Sequence, residues 1–165
     1  MANLIELEER VKTLEEECRK LKDIEAIKNL KYRYWHCVDD HSWDGVADCF
    51  AEEANVFGVN LQGRNLIARF YKRTGGKQFT ISAHQGHNPE INLLSDRAAS
   101  GRWILDQFGI ECGTDNAIKL GLSYEDEYTK EENGWKIKST KVCVIYLQSL
   151  KLTEFPQWAK ASPSV

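Results

Sequence analysis

Three stretches of the chain carry side chains that could exchange protons with a bound molecule. They are Tyr34 with Asp39, the run His84-Gln85-Gly86-His87, and the run Gly101-Arg102-Trp103-Ile104-Leu105-Asp106. A phenol, a carboxylate and an imidazole have ordinary pKa values on either side of neutrality, and burial can bring these values closer together. The set therefore predicts acid–base chemistry on a small organic molecule, with no need for a metal or a cofactor.

Length, composition and charge limit the classes of partner. The 165 residues are 42% apolar and include five Trp, six Tyr and six Phe, enough for one domain with a substantial core. A net charge of -3 gives no strong positive field for a phosphate backbone, so nucleic acid is not an expected partner. No apolar run reaches the roughly 20 residues of a membrane span, and no secretory signal is recognisable. We expect a cytoplasmic protein that is not inserted in a membrane.

The cysteines and histidines do not predict a disulfide framework or a metal centre. The five cysteines are scattered without a C-x-x-C pair, which is typical of buried free thiols. A catalytic thiol would need a neighbouring base, and the sequence places none beside any cysteine. His84 and His87 could bind a metal together, but residues three apart on a strand point to opposite faces. No metal site is therefore expected.

The first 22 residues form a narrow apolar seam. Apolar side chains recur at alternating spacings of three and four between charged residues, at Leu4, Leu7, Val11, Leu14, Cys18 and Leu21. This heptad pattern predicts a helix that packs on its own domain or on another subunit. We divide the chain into an N-terminal helix at 1–22 that contacts another subunit, a main domain at 23–150 and a loosely attached tail at 151–165.

Helices precede a long sheet in the predicted order of elements. Asp23 is predicted to cap a helix whose buried face carries Ile24, Ile27, Leu30, Tyr34 and Val38. Further short helices are predicted at 43–50 and at 64–72, the last ended by Thr74-Gly75-Gly76. Strands are predicted at 55–59, 79–85, 90–94, 98–110, 117–128 and 135–147. This segregation favours an α+β domain in which helices cover one face of the sheet.

Several motifs in this order resemble the SnoaL-like branch of the nuclear-transport-factor-2-like (NTF2-like) superfamily, and within it most of all the bacterial bile acid 7-alpha-dehydratases. The motifs are Leu7-Glu8-Glu9-Arg10-Val11, Asp23-Ile24-Glu25-Ala26-Ile27-Lys28, Tyr34 with Cys37, Asp39 and Trp43-Asp44, His84-Gln85-Gly86-His87-Asn88-Pro89-Glu90-Ile91, Gly101-Arg102-Trp103, and Tyr124-Glu125-Asp126-Glu127-Tyr128. The resemblance implies a cone-shaped, curved antiparallel sheet around a pocket that helices close. It also implies cofactor-free eliminations, isomerisations or cyclisations, and a dimer or trimer.

The resemblance also suggests roles for individual residues. The catalytic tyrosine of these dehydratases matches Tyr34, their first aspartate matches Asp39, and their histidine matches His84. Their second aspartate falls on Gln107, and Asp106 stands one position earlier. Asp106 could replace that acid only if a bulge or a shifted register turned it inward. Strand alternation favours Gln107 as the inward residue, and we adopt that prediction.

Two classes of function follow. The first is a cofactor-independent lyase that removes water from a hydrophobic polycyclic or aromatic substrate, including a coenzyme A conjugate. His84 is then the base, Tyr34 the acid, and Asp39, with Asp106 if it faces inward, fixes the imidazole. The expected substrate contacts are Trp35, His87, Arg102, Trp103, Gln107 and Tyr124. The alternatives are a related isomerase or retro-aldol-type lyase, or a module that only binds an apolar ligand or joins subunits. For all of them we expect a homo-oligomer.

Overall fold

The chain forms three helices and six strands in a computed structural model that describes residues 3–57 and 61–154. A short 3₁₀ turn, Leu152–Glu154, follows the last strand. Most of the predicted tail, and part of the strand predicted at 55–59, lie outside the described residues. The elements in chain order are α1 (Leu4–Asp39), α2 (Trp43–Asp48), β1 (Phe50–Phe57), β2 (Leu61–Gln62), α3 (Arg64–Gln78), β3 (Phe79–Leu93), β4 (Ala98–Glu111), β5 (Asn116–Glu131) and β6 (Gly134–Lys151).

The six strands form one curved sheet in the order β2-β1-β6-β5-β4-β3. Only β1 and β6 pair in parallel, and all other neighbours are antiparallel. The helices cover one face, which we call the inner face. The predicted α+β class, with helices before a long sheet, is confirmed. Among the described residues, no helix is long and apolar enough to cross a membrane.

Three predicted helix boundaries are wrong. Asp23 does not cap a helix, because α1 runs through it without a break from Leu4. The pair Gly75-Gly76 does not end α3, which continues to Gln78. A Cβ on Gly75 would lie 2.6 Å from the Trp43 ring. The glycine therefore leaves room for this neighbouring indole and does not form a turn. The helix predicted at 43–50 ends at Asp48, and β1 already begins at Phe50.

The two strands predicted at 79–85 and 90–94 are one strand. β3 runs from Phe79 to Leu93 and continues through Asn88-Pro89, where the pairing with β4 shifts between His87 and Glu90. Asn88 has a φ of 50°, a left-handed conformation that Asn tolerates better than most residues. The irregular pairing absorbs the proline, which has no N–H to donate to the sheet.

Burial alternates along β4 in the way a strand with one covered face requires. Trp103, Leu105 and Gln107 are buried on the inner face, and the residues between them are more exposed. The Trp103 indole packs edge-on against Trp35 of α1 at a centroid distance of 5.3 Å and donates to the Tyr128 hydroxyl. Ile104, Phe108 and Ile110 lie on the other face and are only half-buried. Both faces of β4 are therefore apolar, but its outer face is only partly covered.

Two polar contacts fix the second half of α1 on the sheet. The Asp23 carboxylate accepts hydrogen bonds from the Lys130 ammonium at 2.6 Å and from the Trp135 indole at 2.8 Å. Two turns later, Lys31 has no exposed side-chain surface and pairs with Asp126 of β5 at 2.7 Å. Removal of one partner from such a buried pair costs about 3–5 kcal/mol. These contacts therefore define where α1 crosses the strands.

The N-terminal part of α1 touches little of the sheet. Residues 3–22 are all exposed, and Asp23 is the first buried residue. The heptad side chains are therefore exposed to solvent, with Leu4 at 69% and Leu21 at 68% exposure. The reading of all cysteines as buried thiols is also wrong, since Cys18 on α1 and Cys143 on β6 are exposed. The division of the chain at residue 22 remains a prediction.

We predict that Asp23→Asn lowers the free energy of unfolding by about 1–3 kcal/mol at neutral pH. Burial by itself would raise the pKa of Asp23, but the bonds from Lys130 and Trp135 outweigh it and lower that pKa. The stabilisation is therefore complete above pH 4 or so and is lost as the pH falls through the folded-state pKa. Urea unfolding at neutral and acidic pH should show the two proteins converging in acid. Asp96→Asn, whose carboxylate is 77% exposed, is the control and should change little.

We further predict a homo-oligomer, a trimer or a dimer, since the heptad side chains and the outer face of the sheet remain uncovered in one copy. Light scattering at micromolar concentration measures the mass of the assembly. Deletion of residues 1–21 should weaken assembly, because it removes the exposed apolar seam. A monomeric full-length chain would contradict this prediction.

Candidate functional site

A cavity of about 510 Å³ lies between the three helices and the inner face of the sheet. A volume of this size suits a small organic ligand. Its walls are mostly apolar and aromatic, with residues contributed by every helix and by all six strands. The polar groups that open onto it are Tyr34, His41, Tyr71, Thr74, Gln78, Ser82, His84, Gln107 and Tyr124. The described residues of the lining include no Lys, Arg, Asp or Glu.

The end of α1 and the middle of β3 meet in a carboxylate–imidazole pair. His84 Nδ1 lies 2.5 Å from Asp39 Oδ1, and the His84 backbone N–H donates to Asp39 Oδ2 at 2.9 Å. Both side chains are largely buried, with 7% exposure for His84 and 19% for Asp39. The two-point contact fixes the imidazole in position and in rotation.

The charge on Asp39 determines which nitrogen of His84 carries the proton. Burial would raise the pKa of Asp39, but hydrogen bonds from the His84 ring and backbone more than compensate, and the pKa lies below its ordinary value. Asp39 is therefore an anion at neutral pH and acts only as an acceptor. His84 Nδ1 must then carry the proton, and Nε2 is the nitrogen left to accept one from a molecule in the cavity.

Two phenols meet in the cavity lining between α1 and α3. The hydroxyls of Tyr34 in α1 and Tyr71 in α3 lie 2.8 Å apart. Burial raises the pKa of Tyr34 well above its ordinary value, and the neighbouring Tyr71 and Tyr124 raise it further. Burial also raises the pKa of Tyr71. Both phenols therefore stay protonated at neutral pH. One must donate to the other, and the acceptor keeps its own O–H for a ligand.

The geometry of α1 explains how Tyr34 and Asp39 serve one site although they stand five residues apart. Tyr34 is 6% exposed and faces the cavity from within the helix. Asp39 is the last helical residue, and the chain turns sharply after it, with His41 at a φ of 55°. The carboxylate can therefore reach sideways to β3 from the end of the helix.

The site residues predicted on β3 and β4 lie on two different faces of the sheet, because successive strand residues point to opposite sides. His84 and Gln107 are direct neighbours in the pairing of β3 with β4, and both line the cavity. Gln107 is only 7% exposed. Asp106 lies on the outer face, where it accepts a hydrogen bond from the Tyr146 hydroxyl and lies 3.8 Å from His87 Nε2. Pairing at 104–107 has no bulge, so nothing turns Asp106 inward, and it does not contact His84.

The structure separates the predicted substrate contacts into three groups. Tyr124 and Gln107 line the cavity. Trp35 and Trp103 are 3% and 0% exposed and pack beneath it. His87 and Arg102 lie on the outer face, Arg102 in a shallow cleft with Glu125 and Lys141. Neither can touch a molecule held beside His84. Placing these two at the substrate is therefore wrong for this cavity.

The sequence reasoning missed several polar and aromatic groups of the cavity, among them Ser82, Tyr71, His41 and Trp43. Ser82 stands two residues before His84, so strand alternation could have placed it on the same face. Tyr71 carried no local signal, because only the packing of α3 on α1 brings it to Tyr34. His41 and Trp43 stack at a centroid distance of 5.1 Å, and Trp43 stacks in turn on Tyr71 at 6.2 Å. These rings form the helical wall of the cavity.

A metal centre requires several converging ligands. Within residues 3–57 and 61–154, no three His, Cys, Asp or Glu side chains lie together as such a centre would need. His84 and His87 point to opposite faces of β3, as strand alternation requires.

Comparison with known proteins agrees with the fold described above. Residues 19–141 match the family model of the SnoaL-like domain. A hexachlorocyclohexane dehydrochlorinase, LinA-type3, from Novosphingobium barchaimii is similar with a TM-score of 0.73 and 18% identity over 81% of this chain and 94% of that one. A candidate scytalone dehydratase from Novosphingobium aromaticivorans has a TM-score of 0.74 and 20% identity over 79% and 89% of the two chains. An NTF2-like protein with a cystatin-like fold from N. aromaticivorans has a TM-score of 0.62 and 19% identity over 88% and 92%. At these identities the solved structures establish the fold alone, whereas the family model covers most of the chain, which therefore belongs to the SnoaL-like family.

Proposed function

We propose that this protein is a lyase that removes water from a hydrophobic, hydroxylated polycyclic or aromatic substrate by acid–base chemistry without a cofactor. The observation that carries the proposal is the contact of His84 with Asp39 at the wall of a largely apolar cavity that also holds the Tyr34–Tyr71 pair. A base and a hydrogen-bond donor thus face one cavity. This arrangement is what an elimination next to a carbonyl requires.

His84 is the base in this proposal. Its Nε2 accepts a proton from a carbon that a neighbouring carbonyl group has made acidic. Asp39 holds the imidazole in the tautomer that leaves Nε2 free and stabilises the imidazolium that forms. The same role of a carboxylate behind a histidine contributes several orders of magnitude to the rate in other histidine-centred sites.

The tyrosine pair is the electrophilic side of the site. When the C–H bond breaks, its electrons move onto the carbonyl oxygen, and a protonated phenol stabilises the enolate by a hydrogen bond. A hydrogen bond between Tyr34 and Tyr71 polarises the free O–H and strengthens it as a donor. The enolate then re-forms the carbonyl and expels the hydroxyl group on the next carbon. That group takes a proton from the imidazolium or from Tyr34 and leaves as water.

The electrostatics of the cavity restrict the substrate class. The described lining residues carry no cationic side chain and no free carboxylate, so a charged group would lose its hydration there without a partner. We therefore propose a neutral ring system for the enclosed part of the substrate. A coenzyme A conjugate fits only if its nucleotide part stays outside. The cytoplasmic location expected from the sequence remains part of the proposal.

The names of two similar structures point to the same reaction type. Dehydration and dehydrochlorination both remove a proton and a leaving group from adjacent carbons. Those activities belong to the neighbours, and their low identity gives no substrate for this chain. They support elimination over the isomerase and retro-aldol alternatives.

A second candidate is a module that binds an apolar ligand without turning it over. Gln107 favours this reading, because an amide stands opposite His84 where a second acid would assist catalysis. The rim of the cavity favours it too, since Val142 and Val144 of β6 line the cavity and are 37% and 64% exposed. An exposed apolar rim suits ligand capture or a contact between subunits.

We predict that His84→Ala abolishes turnover and retains ligand binding. A screen of hydroxylated steroids and aromatic compounds, read by mass spectrometry as loss of one water, identifies a substrate. Calorimetric titration then measures its binding to the variant. His87→Ala is the matched control, because this imidazole lies on the outer face. Unchanged turnover in His84→Ala would remove this residue from the mechanism. Binding without turnover in the parent protein would favour the binding module.

We also predict that Tyr34→Phe slows turnover by about 10²-fold or more and leaves the fold intact, because the ring still fills its place. Steady-state kinetics and thermal melting measure both effects. Tyr32→Phe is the control on the same helix, since Tyr32 does not line the cavity. Equal rates for Tyr34→Phe and the parent would assign Tyr34 to the core alone.

A further inference from the structure

The amide of Gln107 is a buried polar group on the inner face of β4. Gln107 is 7% exposed and lines the cavity. In the strand pairing it stands between His84 of β3 and Leu120 of β5. Its Nε2 donates a hydrogen bond to Ser82 Oγ at 3.2 Å. This bond holds the nitrogen of the amide toward Ser82, so the amide oxygen, Oε1, is directed away from Ser82.

The Oε1 atom of Gln107 accepts no hydrogen bond from residues 3–57 and 61–154, although the side chain is buried. Its neighbours on the cavity wall explain why. The Leu120 side chain is apolar, and His84 carries its proton on Nδ1, where Asp39 Oδ1 holds it at 2.5 Å. A buried amide oxygen costs free energy unless a donor reaches it. The donor for Oε1 therefore has to come from a molecule in the cavity.

We propose that Gln107 Oε1 recognises a hydroxyl group on the ring system of the substrate. The inference rests on the lyase proposed above and deepens it, because it names a further substituent of the same substrate. A hydroxyl is the smallest neutral group that donates a hydrogen bond. A carbonyl or an ether only accepts, and an ammonium would bring a charge into a lining whose described residues include no carboxylate.

The hydroxyl at Gln107 is not the one that leaves as water. A departing hydroxyl gains negative charge and needs a proton. A carboxylic acid in this position could supply that proton, whereas the amide oxygen is the negative end of a dipole and would oppose the charge. The hydroxyl that Gln107 holds therefore stays on the ring. The substrate then carries at least two hydroxyl groups, one retained beside β4 and one expelled.

Ring ketones without a leaving group test the subsite by binding alone. The probes are α-tetralone and its isomers with one hydroxyl group on the aromatic ring, each paired with the methoxy compound of the same position. Isothermal titration calorimetry measures the Kd of each probe for the parent chain. At least one hydroxy isomer should bind about tenfold or more tightly than α-tetralone, and its methoxy partner should show no gain, since an ether oxygen cannot donate.

Variants of the cavity wall assign this gain to one atom. Gln107→Leu keeps the bulk of the side chain without its amide and should reduce the advantage of the hydroxy isomer to within about twofold. Ser82→Ala removes the partner of Nε2 but keeps Oε1, so most of the advantage should remain. Gln85→Leu is the matched control and should leave the advantage unchanged, because Gln85 is exposed on the outer face of β3.

Kinetics separate recognition from a role in catalysis. With a substrate in hand, Gln107→Leu should raise KM about tenfold and leave kcat within about threefold, as expected for a contact made equally in the ground state and the transition state. A loss confined to kcat would overturn recognition as the role of Gln107. Thermal melting of each variant shows whether it is folded when its constants are read.

Binding and turnover fail independently. Equal Kd values for α-tetralone and all its hydroxy isomers, or no binding by any of them, would overturn the subsite. An advantage that survives in Gln107→Leu would overturn it as well. So would a methoxy compound that gains affinity, because the amide would then present its nitrogen to the cavity. Absence of turnover by the parent chain would overturn the proposed lyase and would leave the binding series standing as a measure of the subsite.

Discussion

The position of α1 on the sheet is the constraint on which the rest of the structure depends. Three polar residues of this helix, Asp23, Lys31 and Asp39, each contact the sheet, and they follow one another at intervals of eight residues. Eight residues advance an ideal helix by about 12 Å and rotate it by about 80°. Side chains so placed emerge on different sides of the helix, and a flat sheet could not meet all three. The curved sheet can meet all three. Asp23 contacts β5 and β6 near the turn that joins them, Lys31 contacts β5, and Asp39 contacts β3.

These contacts fix both the axial position and the rotation of the helix. Asp23 anchors it at Lys130 and Trp135, and the buried pair of Lys31 with Asp126 allows no slip along the strands without an unpaired buried charge. The Lys31 ammonium also lies 4.1 Å from the Tyr124 ring centroid and 5.1 Å from that of Tyr34. The anchor therefore packs directly against two rings of the cavity. The Lys31–Asp126 pair therefore also determines where Tyr34 and Asp39 lie.

The sequence predicted which strand residues face inward better than it predicted where the elements begin and end. Period-two alternation was enough to favour Gln107 over Asp106 as the inward residue, because a strand without a bulge allows no other orientation. The continuity of β3 through Asn88-Pro89 could not be predicted, since the left-handed asparagine and the shifted pairing depend on the neighbouring strand. The pair Gly75-Gly76 was predicted to end a helix. Gly75 instead leaves room for the Trp43 ring, and the local sequence does not show this because Trp43 belongs to another helix. Tyr71 could not be predicted as a site residue for the same reason, because only tertiary packing brings its hydroxyl to Tyr34.

The central claim is that His84, held by Asp39, removes a proton from a carbon next to a carbonyl. Exchange of that proton for deuterium measures this step alone, whether or not water is then lost. A cyclic ketone without a leaving group is incubated with the protein in D₂O, and its mass is followed over time. The account predicts saturable deuterium uptake next to the carbonyl that is fast with the parent chain, slower with Asp39→Asn and equal to buffer with His84→Ala. Uptake that is the same with the parent chain and with His84→Ala would contradict it.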